Sequence, residues 1–210
     1  MKHYTYKTFS QSRTFTSMFV ATMKSMESLF IGLTQMNQSK ICHLDIKDDN
    51  VVVDKGSMKY IDFGMAQPYK NHLGFQTRSQ YIFTSTSLYL PYPPEFIFLF
   101  ASTSQLNDEL QRLQQGIYRN HLSDYQGIHE DFFTRSDSVQ YHISLVQTMM
   151  SHKPSFSEVI DKLDTYSVGM LIPFLLYKLG IVYDMYETVL RLIQLPKVKP
   201  FMKLFKLMTH

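Results

Sequence analysis

The run His43-Leu44-Asp45-Ile46-Lys47-Asp48-Asp49-Asn50, closed by Ile61-Asp62-Phe63-Gly64, constrains this chain more than any other part of its sequence. Val51-Val52-Val53 reads as a strand and Met58 to Ile61 as its returning partner. Between them Asp54-Lys55-Gly56-Ser57 reads as a turn, with Gly56 free to take positive φ. Such a hairpin returns Asp62 to the side of Asn50, so an amide oxygen and a carboxylate can share one ion. Upstream, Phe19, Met23, Met26, Phe30 and Leu33 recur at steps of four and three. That spacing predicts one amphipathic helix over about residues 16–37, leading directly into the polar run.

Four side chains in this run suit phosphoryl transfer from a metal-bound nucleotide, a reaction governed by positioning and charge neutralisation. Asp45 is the candidate to orient an attacking hydroxyl and accept its proton. Lys47, two residues on, is the candidate cation for the moving phosphoryl group. Magnesium takes hard oxygen ligands and shares them with phosphates, and Asn50 and Asp62 supply an amide oxygen and a carboxylate.

The pattern resembles that of the eukaryotic-type protein kinases. Their H-R-D-x-K-x-x-N followed by D-F-G is matched at every polar position except the arginine, which is Leu44 here. Pro93-Pro94-Glu95 resembles the A-P-E that closes the activation segment. Asp164-Thr165-Tyr166-Ser167-Val168-Gly169 resembles the D-x-W-S-x-G that opens the long buried central helix, with Tyr166 in place of tryptophan. Aminoglycoside and choline phosphotransferases share H-x-D-x-x-x-x-N and a following acid. Phe63-Gly64, Lys47, Pro94-Glu95 and Asp164 with Gly169 favour the protein kinases.

The resemblance implies a serine/threonine-type activity, with Lys47 at the position that separates this branch from the tyrosine branch. It implies ATP and magnesium as cofactors: Lys47, Asn50 and Asp62 on the nucleotide, Asn50 and Asp62 on the metal, and Asp45 and Lys47 in catalysis. The family arginine at position 44 often binds an activation-segment phosphate, which a leucine cannot do. The hydroxyls of Thr84, Ser85 and Thr86 are therefore expected to be dispensable. The alternative is a catalytically inactive pseudokinase lobe acting as a protein-binding module.

The fold class implied is α+β, mostly helical: a kinase-like C-terminal lobe with short catalytic-loop hairpins. Residues 1–15 read as a lead-in, and 16–210 as the lobe. The first glycine is Gly32, inside the first helix, and no V-A-x-K-like segment precedes the run, so no N-terminal lobe is expected. Ala66 to Tyr92 reads as a loop-rich activation segment containing Arg78 and Tyr81. Sixty-eight residues separate Glu95 from Asp164, a much longer crossing than the family uses, so an insertion is assigned over about 97–162. Leu106, Leu110, Leu113 and Ile117 predict one helix there, and Val139, Ile143, Val146 and Met150 a second, with a polar loop over 120–136. His121, His129, His142 and His152 match no zinc spacing. Val168 to Tyr177 is too short for a membrane span and fits a buried helix that Pro173 should kink or deprive of one backbone bond. Helices are also expected over 181–195 and 199–208. Arg191, the one arginine after Asp164, is a poor match for the family arginine that pairs with the A-P-E glutamate.

Composition excludes several classes. Apolar content of 44% and charged content of 19% are those of a folded chain, and a net charge of +3 gives no argument for nucleic acid. No signal peptide or membrane segment is visible. The single cysteine, Cys42, rules out an internal disulfide and suits a reducing compartment, cytoplasm or nucleus. The expected partner is a protein, as substrate or as ligand. The long insertion, low alanine content and reduced upper lobe resemble kinase-like proteins of large DNA viruses, which adds the host cell of a virus to the possible locations.

Overall fold

A computed structural model describes residues 12–85, 92–116 and 138–209. The expected lead-in (up to residue 11), the loop over 120–136, Thr86, Ile117, His121 and His129 lie outside the described residues.

The single helix expected over 16–37 is two helices, α1 (Ser12–Ser25) and α2 (Glu27–Gln38), separated at Met26. Hydroxyls explain the break. Ser25 Oγ donates to the Thr22 carbonyl (2.7 Å), and Ser28 Oγ to those of Ser25 (2.9 Å) and Met58 (2.6 Å). Side chains that take carbonyls of the preceding turn bend a helix. The buried stripe is Phe15, Phe19, Met26, Leu29, Leu33 and Met36; Met23 and Phe30 pack at its margin.

Strand β1 (Ile41–Cys42) follows, then a 3-10 turn over Asp48–Asn50, and then β2 (Val51–Asp54) and β3 (Ser57–Tyr60). β2 and β3 pair antiparallel, with Val51 opposite Tyr60 and Asp54 opposite Ser57. Lys55 and Gly56 both take positive φ (49° and 80°), the turn geometry whose twist matches a two-residue hairpin. After a second 3-10 turn over Phe63–Met65, β4 (Gln67–Pro68) returns to pair with β1.

The segment expected to be loop-rich instead forms α3 (His72–Ser85). Its buried face runs Phe75, Ser79, Ile82, and Ser79 Oγ donates to the Ile97 carbonyl (3.2 Å). A serine in the middle of the stripe hides the helical period from an apolar count. Then come α4 (Pro94–Phe98), α5 (Thr103–Gln114) and α6 (Ser138–Ser151). The two helices expected in the insertion are present. They pack on each other, with Leu106, Leu113, Val146 and Met149 buried. Met150, expected on the buried stripe, is exposed.

α7 (Phe156–Val182) organises the rest. The Asp164–Gly169 motif was expected to open this helix, yet it lies two turns inside it. The start is set by a capping box, in which Ser155 Oγ accepts from Glu158 N and the Glu158 side chain from Ser155 N. The helix continues through Pro173. Two hydrophobic cores meet along it. Val159, Ile160 and Leu163 face one, with Cys42, Leu44 and α3 to α6; Val168, Leu171, Ile172 and Leu176 face the other, with α1, α2, β3 and the C-terminal helices. By length and composition α7 could cross a membrane, but its apolar residues are divided between these two cores. It ends at Val182, so the helix expected from 181 is the shorter α8 (Tyr186–Ile193), entered after Asp184 at φ 54°. α9 (Lys199–Met208) packs on α7 at Gly169, where an added Cβ would lie 2.8 Å from Met208 Cβ and 3.2 Å from the Phe205 carbonyl.

Candidate functional site

The loop from His43 to Asn50 is held from below by one buried carboxylate. Asp164 is 2% exposed and accepts from the backbone N–H groups of His43 (2.6 Å) and Leu44 (3.3 Å). Burial raises its pKa from 3.8 to about 6, against the lowering effect of those two bonds. The tether matters because Leu44 sits at φ 60°, a left-handed conformation that bulky residues avoid. The Leu44 carbonyl in turn accepts a hydrogen bond from Tyr92 Oη. Leu44 is fully buried in the α3–α6 core, so the departure from the family arginine gives the loop an apolar anchor.

His43 ties the loop to the Asp62 segment. Its Nε2 bonds the Ile61 carbonyl (3.0 Å), which fixes Nε2 as the donor, and its ring lies 4.6 Å from that of Phe63. Burial holds its pKa below the usual histidine range, partly opposed by the Ile61 bond and by Asp45 and Asp62. Nδ1 is buried and has no hydrogen-bond partner among the described residues. Cys42 is buried beside it, and burial pushes its thiol pKa up, as expected of a structural rather than a reactive thiol.

Three of the four expected side chains converge. Asn50 Nδ2 donates to the Asp45 carboxylate (2.7 Å to Oδ2) and to the Asp45 carbonyl (2.8 Å). Lys47 Nζ lies 3.1 Å from the same Oδ2. These bonds use the Asn50 amide nitrogen, so the amide oxygen is the atom that side chain would offer a hard metal. Asp62 is brought close by backbone, since Ile61 N donates to the Asn50 carbonyl (3.0 Å). Its own carboxylate is exposed and accepts from Gly64 N (3.3 Å), which caps the following 3-10 turn and holds Asp62 at φ 60°. The donor set, one amide oxygen just before β2 and one exposed carboxylate just after β3, fits a hard divalent cation shared with phosphate. Asp48, in the 3-10 turn, pairs with Lys178 and ties the loop to α7.

Sequence reasoning missed Arg78 as a site residue. From α3 its Nη2 reaches Asp45 Oδ1 (3.2 Å) and its Nε donates to Tyr92 Oη (3.0 Å). The guanidinium also lies over the rings of Tyr92 (5.5 Å) and Tyr81 (5.7 Å). A signal existed: no other arginine lies between Arg13 and Arg112. The remaining motif residues lie apart. Glu95 opens α4 and lines a cleft of about 420 Å³ with Lys162, Thr165 and Thr209. Arg191 hydrogen-bonds the Glu187 carbonyl on its own helix, and no ion pair joins it to Glu95 among the described residues. His142 is buried, and no cluster of metal-ligating residues occurs among those described.

Comparison with known proteins agrees with this geometry. Residues 1–111 match the family model described as the protein kinase domain. A 45-residue stretch is 44% identical to the probable cyclin-dependent kinase 9 of Caenorhabditis elegans, covering 21% of this chain and 9% of that protein. No solved structure matches the chain. The family match ends before Asp164, so the two hydrogen bonds from His43 and Leu44 to that residue are an independent observation.

Proposed function

This chain belongs to the protein kinase domain family, and from that premise we propose that it is a serine/threonine-type C-terminal lobe built to transfer a phosphoryl group from Mg-ATP to a protein hydroxyl. The observation that carries the reading is the convergence of Lys47 and Asn50 on the Asp45 carboxylate, with Asp62 returned beside Asn50 by the β2–β3 hairpin. Asp45 orients the acceptor hydroxyl and takes its proton as the hydroxyl oxygen bonds to the γ-phosphorus. The bond to the bridging oxygen breaks, and ADP leaves with that electron pair. Lys47 offsets charge on the moving group. Magnesium, when bound, neutralises phosphate charge, and Asn50 and Asp62 would hold it.

The reading includes a truncated or partner-dependent form, in which another polypeptide covers the nucleotide from the opposite side. The exposure of Val52, Val53, Phe63 and Met65 around the hairpin supports such a cover. The matched relative is far longer than the matched stretch, so substrate and partner are inferred for this chain alone. A buried lone thiol supports a reducing location, in cytoplasm or nucleus, the host cell of a virus included.

One observation favours the second reading, a non-catalytic protein-binding module. Both carboxylate oxygens of Asp45 are already engaged, Oδ2 by Asn50 and Lys47 and Oδ1 by Arg78. Thermal unfolding with Mg-ATP separates the two. Bound nucleotide stabilises the fold with rising concentration, by ~2.7 kcal/mol at a hundredfold excess over its dissociation constant. Absence of any shift at millimolar Mg-ATP refutes phosphotransfer by this chain without a partner and favours the binding module.

A further inference from the structure

Arg78 occupies the position a reacting hydroxyl needs. A general base must have an oxygen within hydrogen-bond reach of the proton it takes. Asp45 Oδ2 is committed to Asn50 and Lys47, and Oδ1 faces Arg78. The side chains of Arg78 and Asp45 are only 16% and 11% exposed, so their pairing is shielded from solvent far more than a surface ion pair. Arg78 is thus the group an acceptor meets at the Asp45 oxygen that Asn50 and Lys47 leave free, and what the acceptor offers the guanidinium in exchange decides how readily it is admitted.

We propose that Arg78 is a specificity-determining latch over Asp45, opened by acceptor segments that carry an acidic side chain beside their hydroxyl. The proposal rests on the reading of Asp45 as the base. A guanidinium has five N–H donors in a fixed fork. Nε stays on Tyr92 Oη while an incoming carboxylate takes over Nη2, one charged partner exchanging for another. A neutral or basic acceptor offers no such exchange and leaves a shielded guanidinium without a counter-charge, which is costly. Lys47 stays on Oδ2 throughout, so the phosphate-side cation is undisturbed. Tyr81, 60% exposed and lying against the guanidinium, marks the solvent side from which the acceptor enters. The latch is carried by α3, the element that sequence periodicity missed.

The test uses the full chain, its Arg78→Gln variant, and three fluorescent serine peptides flanked by aspartates, alanines or lysines. Peptide binding is read by anisotropy without nucleotide, and phosphotransfer is read separately with Mg-ATP. The expected result is a preference of about tenfold or more for the acidic peptide, the ratio one charge-assisted hydrogen bond supports. Arg78→Gln should erase that preference and raise binding of the alanine peptide. An equal affinity of the natural chain for all three peptides overturns the proposal, as does an acidic preference that survives the substitution. Should that variant fail to fold, Arg78→Lys reads the same contact, because it keeps the charge but loses the fork: an acidic preference that falls several-fold supports the proposal, and one that is unchanged overturns it. Failure of Mg-ATP to bind would overturn phosphotransfer by the chain without a partner and leave the latch intact, because the peptide arm requires no nucleotide.

Discussion

Replacing Asp164 by alanine tests how the active loop is held. The substitution leaves the N–H groups of His43 and Leu44 buried without an acceptor. Each orphaned donor costs about 1–3 kcal/mol, and with one bond at 2.6 Å and the other at 3.3 Å a loss of about 3 kcal/mol follows. The pH dependence is more diagnostic. The Asp164 pKa is raised from 3.8 to about 6, so between those values the folded chain holds a proton that the unfolded chain has released. Stability from this group is therefore greatest at acid pH and declines as pH rises towards 6. Between pH 4.5 and 7.5 the decline is about 2 kcal/mol, at 1.36 kcal/mol per pKa unit. Neither Asp164→Ala nor Asp164→Asn titrates there, so the gap between natural chain and variants should narrow by that amount as pH rises. Asp164→Asn keeps one acceptor and should lose about half as much as alanine at neutral pH. Urea unfolding of the three proteins across this range, compared as differences so that other titrations cancel, measures both effects. A gap that stays flat, or widens with rising pH, refutes the reasoning; widening would mean that the two N–H groups outweigh burial and favour the anion.

Gly169→Ala should destabilise the chain by about 1–3 kcal/mol, because its Cβ would meet Met208 Cβ at 2.8 Å and press α9 off α7; denaturant midpoints check it. Combined replacement of Thr84, Ser85 and Thr86 by alanine should leave any phosphotransfer rate nearly unchanged. The Thr84 hydroxyl bonds carbonyls of its own helix at Gln80 and Tyr81, and Leu44 provides no cation for a loop phosphate; a loss well beyond tenfold would contradict this.

What the sequence made legible was local. Val51 to Tyr60 announces its hairpin because the β-branched run Val51-Val52-Val53 and the Lys55-Gly56 turn are short-range properties, and the observed register agrees with them. Asp45, Lys47 and Asn50 lie within six positions, so a single loop suffices to gather them. The misses came from contacts between distant segments or from polar atoms doing the work of apolar ones. Met26 looks like a stripe residue, yet the Ser25 and Ser28 hydroxyls break the helix there by binding carbonyls, one of them on β3. The α3 stripe passes through Ser79, buried because the Ile97 carbonyl receives its hydroxyl. The Ser155–Glu158 capping box, visible in the sequence, would have corrected the start of α7 and shown that Asp164 faces the loop from a helix interior. Arg78 is the case no local pattern reveals. It lies thirty-three positions along the chain from Asp45, and its meaning depends on a helix whose apolar period Ser79 interrupts and on Tyr92, a further fourteen positions on. The polar run identifies the chemistry at a distance, but the state of its base is decided by an arginine that only the packed fold brings to it.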